Sequence, residues 1–175
     1  MVLRLEPIAH ALDRILAESS GERYAIVVPS AAAPRFQQRD VERLAAADRL
    51  VLVCGHYEGI DERLSALYSV EEFSVGDFVL TGGEIPALAV MDATVRLLAG
   101  AIAPQSLESE SFCAGLLDYP SYTRPAVFRG VAVPDVLLSG DHAKIAQWRR
   151  DQSLRRTQAR RKDLLDDALR DDERP

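Results

Sequence analysis

Cys54-Gly55-His56-Tyr57-Glu58-Gly59-Ile60-Asp61-Glu62-Arg63, and further on Ser74-Val75-Gly76-Asp77-Phe78-Val79-Leu80-Thr81-Gly82-Gly83-Glu84, decide how this chain folds. Each glycine-bearing stretch adjoins an apolar run. The first follows Arg49-Leu50-Val51-Leu52-Val53, which reads as a fully buried strand; the second interrupts a hydrophobic segment and leads into a helix. Glycine has no Cβ, so at strand ends it lets backbone amides and carbonyls approach a ligand closely. Two such loops with acidic neighbours, in an open α/β sheet, point to a crevice at the carboxyl ends of the strands.

The flanking segments supply that sheet. Pro7 to Ala17 carries Ile8, Leu12, Ile15 and Leu16 at helical spacing and stops at Ser19-Ser20-Gly21. Tyr24 to Val28 is a short β-branched strand ended by Pro29-Ser30, and Asp40 to Ala46 a second helix. Ile60 to Ala66 reads as a helical turn or short helix, and Glu72 to Leu80 contains the third strand and the approach to the second loop. Ile85 to Leu98 forms a helix, with Pro86 tolerated in its first turn and Gly100 beyond its end. This alternation predicts an α/β fold with a mostly parallel sheet covered by helices. The chain opens on a helix, where a domain of βα units ordinarily begins with a strand.

Past Gly100 the texture changes. Ala103 to Ser111 is polar and reads as a connection, Tyr119-Pro120-Ser121-Tyr122-Thr123-Arg124-Pro125 and Val133-Pro134 interrupt regular structure, and from Ser139 the chain is helical and basic. The expected organisation is a domain over 1–103, a linker over 104–112 and a small helical domain over 113–175.

Chain length of 175 residues, 47% hydrophobic and 27% charged, suits one domain with a real core and a small appendage. No apolar run approaches the roughly 18 residues of a membrane span, and the N-terminus lacks a signal-peptide layout. The cytoplasm is the expected compartment. Cys54 and Cys113 share no CxxC spacing, and His10, His56 and His142 are scattered, so the spacing indicates no metal site. The net charge of −6 is unevenly spread: Asp141 to Lys162 holds Lys144, Arg149, Arg150, Arg155, Arg156, Arg160, Arg161 and Lys162 against only Asp141 and Asp151. A local basic patch on an acidic body can still bind a phosphate backbone, because screening is short-ranged. A solvated helix face balanced by the acidic tail is the other reading.

Four stretches, LVLVCGHYEGIDER, EEFSVGDFVLTGGEIPAL, GLLDYPSYTRP and VPDVLLSGDHAKIAQWR, occur in this order between about Arg49 and Arg156. Together they resemble the bacterial tRNA (guanine-N1)-methyltransferases, a knotted (SPOUT-class) group dependent on S-adenosylmethionine. Sequence physics alone leads instead to an unknotted flavodoxin-like sheet, since knots are rare exceptions to ordinary connectivity. The resemblance implies a deep trefoil knot between about Tyr24 and Leu98, a C-terminal helical domain, a homodimer with its site between subunits, and tRNA as partner. The reaction implied is methylation of guanine N1 at tRNA position 37, just 3′ of the anticodon.

Carried over position by position, the cofactor loops comprise Ser30, Ala31, Ala32 and Ala33; Gly55, Tyr57, Glu58 and Gly59; and Val75, Gly76, Phe78, Leu80, Gly82, Gly83 and Pro86. The resemblance assigns stabilisation of charge on guanine O6 to Arg96 and removal of the N1 proton to Glu110, where the family usually has Asp. Ser106 is implied as a guanine contact, and Tyr122, Arg124, Arg149, Arg150, Arg155 and Arg156 as the tRNA-contacting surface. Ser30 to Ala33 departs from the family's usual Pro and Gly. Without the resemblance, Glu108 and Glu110 read as solvated linker charges and Arg96 as a surface helix residue. Magnesium is an implied assistant, yet no dedicated ligand cluster is visible; a carboxylate-bound ion would be weakly held and water-rich.

Family members carry a strand, a helix and a glycine-rich loop ahead of the position of Met1. A start assigned too late is the expectation, with a shortened homologue as the other reading. The functional alternative is therefore a catalytically impaired homologue that only binds adenosylmethionine or RNA. A knotted methyltransferase acting on a ribose hydroxyl is a third class, which analysis of the modified nucleoside would separate.

Overall fold

A computed structural model describes residues 1–18, 21–107, 110–112 and 115–165. The chain divides into two units, Met1–Ile102 and Ala103–Pro175.

The first unit is a mixed α/β layer structure. Its elements run α1 (Leu5–Ala17), β1 (Tyr24–Pro29), α2 (Gln38–Ala45), β2 (Arg49–Leu52), α3 (Arg63–Leu67), β3 (Val70–Phe73) and α4 (Glu84–Val95). The strands form a parallel sheet in the order β2-β1-β3, with Ile26 opposite both Val51 and Val70. β1 is therefore central, and its side chains alternate between two cores as the strand period requires. Ile26 and Val28 face Leu12 of α1 and Leu64 of α3. Val27 faces Leu44 of α2, Phe73 and Val90 of α4. Tyr68 ties the first layer together, its hydroxyl donating to the Asp13 carboxylate at 2.6 Å. Phe36 and Phe73 pack at 5.2 Å in the second.

Three expectations need correction. β2 is half-buried along its length, not fully buried, because it lies at an edge with one neighbouring strand. β3 starts at Val70 and ends at Phe73, so residues 75–80 are loop. Past Phe73 the pairing passes from β1 to residues 34–36: Ser74 bridges Arg35 in parallel, and its hydroxyl donates to the Gly76 carbonyl at 2.8 Å. The polar connection after Gly100 contains a short helix, α5 (Pro104–Leu107). Ahead of α1, Leu3 forms a parallel bridge with Ile60, its N–H donating to the Gly59 carbonyl at 2.9 Å.

Beyond α5, the second unit contains β4 (Val127–Phe128), β5 (Val131–Ala132), α6 (Asp135–Leu138) and α7 (His142–Arg160). Asp141 caps α7, its carboxylate accepting from the Lys144 N–H. Inside this unit Thr157 is fully buried. Its hydroxyl donates to the Ser153 carbonyl at 2.8 Å and accepts from the Leu117 N–H at 2.9 Å, which fastens the preceding loop to the helix. Among the described residues no helix is long and apolar enough to cross a membrane.

Leu44 is 1% exposed and sits between β1 and α4. Leu44→Ala should lower unfolding free energy by about 2–5 kcal/mol, read from urea denaturation.

Candidate active site

The carboxyl ends of all three strands open on one cavity of about 400 Å³. Its walls come from residues 28–32 at and after the end of β1, 55–62 after β2, Leu64 and Ser65 of α3, and residues 72–76 and 78–83 at and after the end of β3, closed by Pro86 in the first turn of α4. Of the positions carried over by resemblance, Ser30, Ala31, Ala32, Gly55, Tyr57, Glu58, Gly59, Val75, Gly76, Phe78, Leu80, Gly82, Gly83 and Pro86 line it. Ala33 does not; its N–H donates to the Ser30 carbonyl in the turn behind the wall.

Contact between the two glycine loops shapes this cavity. The Gly83 N–H donates to the Gly55 carbonyl at 2.7 Å, and His56 bridges Gly82 in antiparallel sense. A Cβ on Gly83 would lie 2.8 Å from the Gly55 nitrogen and 2.9 Å from Cys54 Cα. Both neighbours are backbone and cannot rotate aside. In the first loop Tyr57 has φ 60° and Gly59 φ 121°, and the Gly59 N–H donates to the His56 carbonyl to close the turn. His56 Nδ1 accepts the Tyr57 N–H at 3.0 Å, which orients the left-handed residue beside the cavity.

The lining has a definite electrostatic sign. Glu58, Asp61, Glu62 and Glu72 contribute to it, and among the described residues no lysine or arginine does. Asp61 is answered from outside the lining by Arg63, whose Nε and Nη2 donate to it at 2.9 and 2.6 Å. Those side-chain bonds first, and the Arg63 backbone N–H second, hold the Asp61 carboxyl down at about 2. Cys54, behind the first loop, has its thiol pKa raised by burial and then by the negative Glu84, which leaves it a poor nucleophile. Sequence reasoning missed the acidic wall of Asp61, Glu62 and Glu72. The signal was present in the acidic residues that flank both loops.

The remaining candidates are distributed over both units. Arg96 is half-buried at the C-cap of α4. Glu110 is half-buried in the second unit, its N–H directed at the Leu107 carbonyl; Ser106 is exposed on α5. Glu108 lies outside the described residues. Tyr122 is exposed, 6.3 Å from the Trp148 ring, and Arg124 and Arg155 are exposed as well. Arg149 lies 4.7 Å from the centroid of Tyr119, and Arg150 donates to the Gln147 side chain at 2.7 Å. Arg156 differs from the other arginines of the set: half-buried, it donates to the Asp118 carbonyl at 3.0 Å and faces the Asp118 carboxylate at 3.3 Å. That gives it a structural task inside the second unit.

The family model described as tRNA (Guanine-1)-methyltransferase TrmD matches residues 1–167. The chain belongs to this family. Curated tRNA (guanine-N(1)-)-methyltransferases of Geobacillus kaustophilus and Bacillus licheniformis are each 49% identical over 168 residues, covering 95% of the chain and 68% of the relative. The enzyme of that description from Trichodesmium erythraeum is 54% identical over 167 residues, covering 94% of the chain and 72% of the relative. The chain thus spans roughly two-thirds to three-quarters of these family members' length.

Two outcomes follow from this geometry. Gly83→Ala forces the two loops apart and should destabilise the protein by about 1–3 kcal/mol, with a lowered melting temperature. The Asp61 pKa is depressed, so its pairing with Arg63 contributes stability in full above the ordinary value of 3.8 and loses it as pH falls toward about 2. Carbon-detected titration should find Asp61 ionised at pH 3; a midpoint near 4 would contradict the pairing.

Proposed function

We propose that the cavity at the carboxyl ends of the strands holds S-adenosylmethionine, and that the protein methylates N1 of the guanine at tRNA position 37. Family membership over residues 1–167 makes the protein a methyltransferase of tRNA guanine and favours that reading over a binding-only module. The observation that carries the cofactor reading is the acidic, cation-free lining. A ligand bearing a sulfonium and an ammonium gains attraction there, and a polyphosphate is repelled.

The donor set also suits the remainder of that cofactor. Val75, Phe78, Leu80 and Pro86 offer an apolar slot for a purine, and the glycines leave backbone groups within reach of its edge. Carboxylates such as Glu58 accept hydrogen bonds from ribose hydroxyls. Bound there, S-adenosylmethionine supplies a methyl group on a positively charged sulfur.

Guanine N1 carries a proton at neutral pH and must lose it to become a nucleophile. In this reading Glu110 accepts that proton; glutamate does this as well as aspartate, with its oxygens about one bond length farther from the backbone. The charge left on the purine spreads to O6, where the Arg96 guanidinium stabilises it. Ser106 orients the guanine. Tyr122, Arg124, Arg149, Arg150 and Arg155 position the tRNA through stacking and phosphate contacts, with Arg156 supporting that surface through Asp118.

A deep trefoil knot over the first unit and a small tRNA-binding second domain complete the reading. Supporting the knot is the close crossing of the Gly55 and Gly83 segments. Supporting a homodimer is the exposed stripe of Ile85, Leu88, Met91 and Val95 along α4, a contiguous apolar face of the kind that marks interfaces. The cytoplasm, where tRNA is modified, is the compartment proposed. Magnesium finds no support in the donor set: among the described residues no three His, Cys, Asp or Glu side chains are grouped to hold an ion, and no step is assigned to it.

Labelled methyl transfer to a tRNA transcript tests the reading. Label should enter a transcript with G at position 37 and not one with A there, and nucleoside analysis should return 1-methylguanosine. Label on a ribose, or in the A37 transcript, would refute it. Glu110→Gln should lower kcat about 10²–10⁴-fold while leaving adenosylmethionine affinity within twofold, as measured by calorimetry.

A further inference from the structure

From Tyr119 to Pro134 the chain has no acidic residue, although the protein's net charge is −6. The second half of that stretch folds into the β4–β5 hairpin, where Val127 pairs with Ala132 and Phe128 with Val131. Arg129 and Gly130 form its two-residue turn with φ of 50° and 80°. Two left-handed residues are what a type I′ hairpin turn requires, and a non-glycine residue in that conformation is uncommon. The turn carries an aromatic–cation pair on its outside: the Arg129 guanidinium lies 5.3 Å from the Phe128 ring centroid. Phe128 is 62% exposed and Val131 74%. A two-stranded ribbon this short gains little stability of its own, and among the described residues its side chains join neither core cluster.

Exposed aromatic and apolar side chains together with two exposed arginines (Arg124 and Arg129), in a stretch of sequence that carries no carboxylate, have a definite complement. The partner must offer flat apolar faces and negative charge together. An unstacked base beside its phosphate does so. We propose that the tip of the β4–β5 hairpin is an RNA-docking element, in which Phe128 stacks on an unpaired base of the tRNA and Arg129 contacts the adjoining phosphate. This rests on the tRNA-methyltransferase reading and adds a contact to it.

The test measures binding of a tRNA transcript to the full chain by fluorescence anisotropy at several salt concentrations, with adenosylmethionine affinity, melting temperature and sedimentation recorded in parallel. Phe128→Ala should weaken tRNA binding at least about fivefold, and Phe128→Trp, which keeps an aromatic face, should restore it. Arg129→Ala should reduce the slope of log K against log salt by about one. All three should leave adenosylmethionine affinity and melting temperature unchanged. Parental tRNA affinity in Phe128→Ala would overturn the hairpin proposal alone. Lost affinity accompanied by a shift from dimer to monomer would also overturn it, by making the hairpin a contact between copies. No tRNA binding by the parent protein would overturn the methyltransferase reading and the hairpin contact together.

Discussion

The approach of Gly83 to Gly55 is the constraint on which the rest of the first unit depends. One hydrogen bond of 2.7 Å joins the loop that follows β2 to the loop that precedes α4, and the absence of a Cβ at Gly83 permits it. Because α4 begins at that point, the contact also fixes where its inner face falls. The Ala87 N–H donates to the Gly83 carbonyl, and one turn later Val90 is buried against Val27, Leu44 and Phe73. A single close crossing therefore shapes one side of the cavity and seats the helix that covers the sheet.

Charge is arranged by location within this frame. Around the rim of the sheet the carboxylates are answered: Asp48 by Arg23, Glu22 by Arg49 and Glu71 by Arg43. Such exposed pairs contribute little each to stability. Inside the cavity, Glu58, Glu62 and Glu72 face the solvent space with Asp61. The result is a protein whose cavity lining is negative while much of its basic charge sits on α7. In the proposed reading the first charge attracts a cationic cofactor and the second a polyanionic substrate.

Local pattern was enough where one period dominated. Ile8, Leu12, Ile15 and Leu16 announce α1 because apolar residues recur every three to four positions, and the β-branched run before Pro29 announces β1. It failed where neighbours decide. Arg49 to Leu52 looks like an interior strand, yet burial depends on how many strands flank it, and it has one. The start of β3 was missed because Val70 and Glu71 join the strand by pairing with Ile26 and Val27, far earlier in the chain. In the basic segment Arg156 is indistinguishable by sequence from Arg155; its bond to Asp118 spans 38 positions.

By itself, the sequence determined the helical and strand segments with strong periodicity, the two glycine loops, and, through four motifs in order, the family. Those are local properties, written in side-chain spacing and backbone freedom. Only the tertiary structure decided that the loops after all three strands share one cavity, that Glu72 joins Glu58 and Glu62 across it, and that Ala33 stands outside. It alone also placed an exposed phenylalanine under an arginine at the tip of a hairpin. These depend on distances between segments far apart in the chain, which packing sets and spacing along the chain does not.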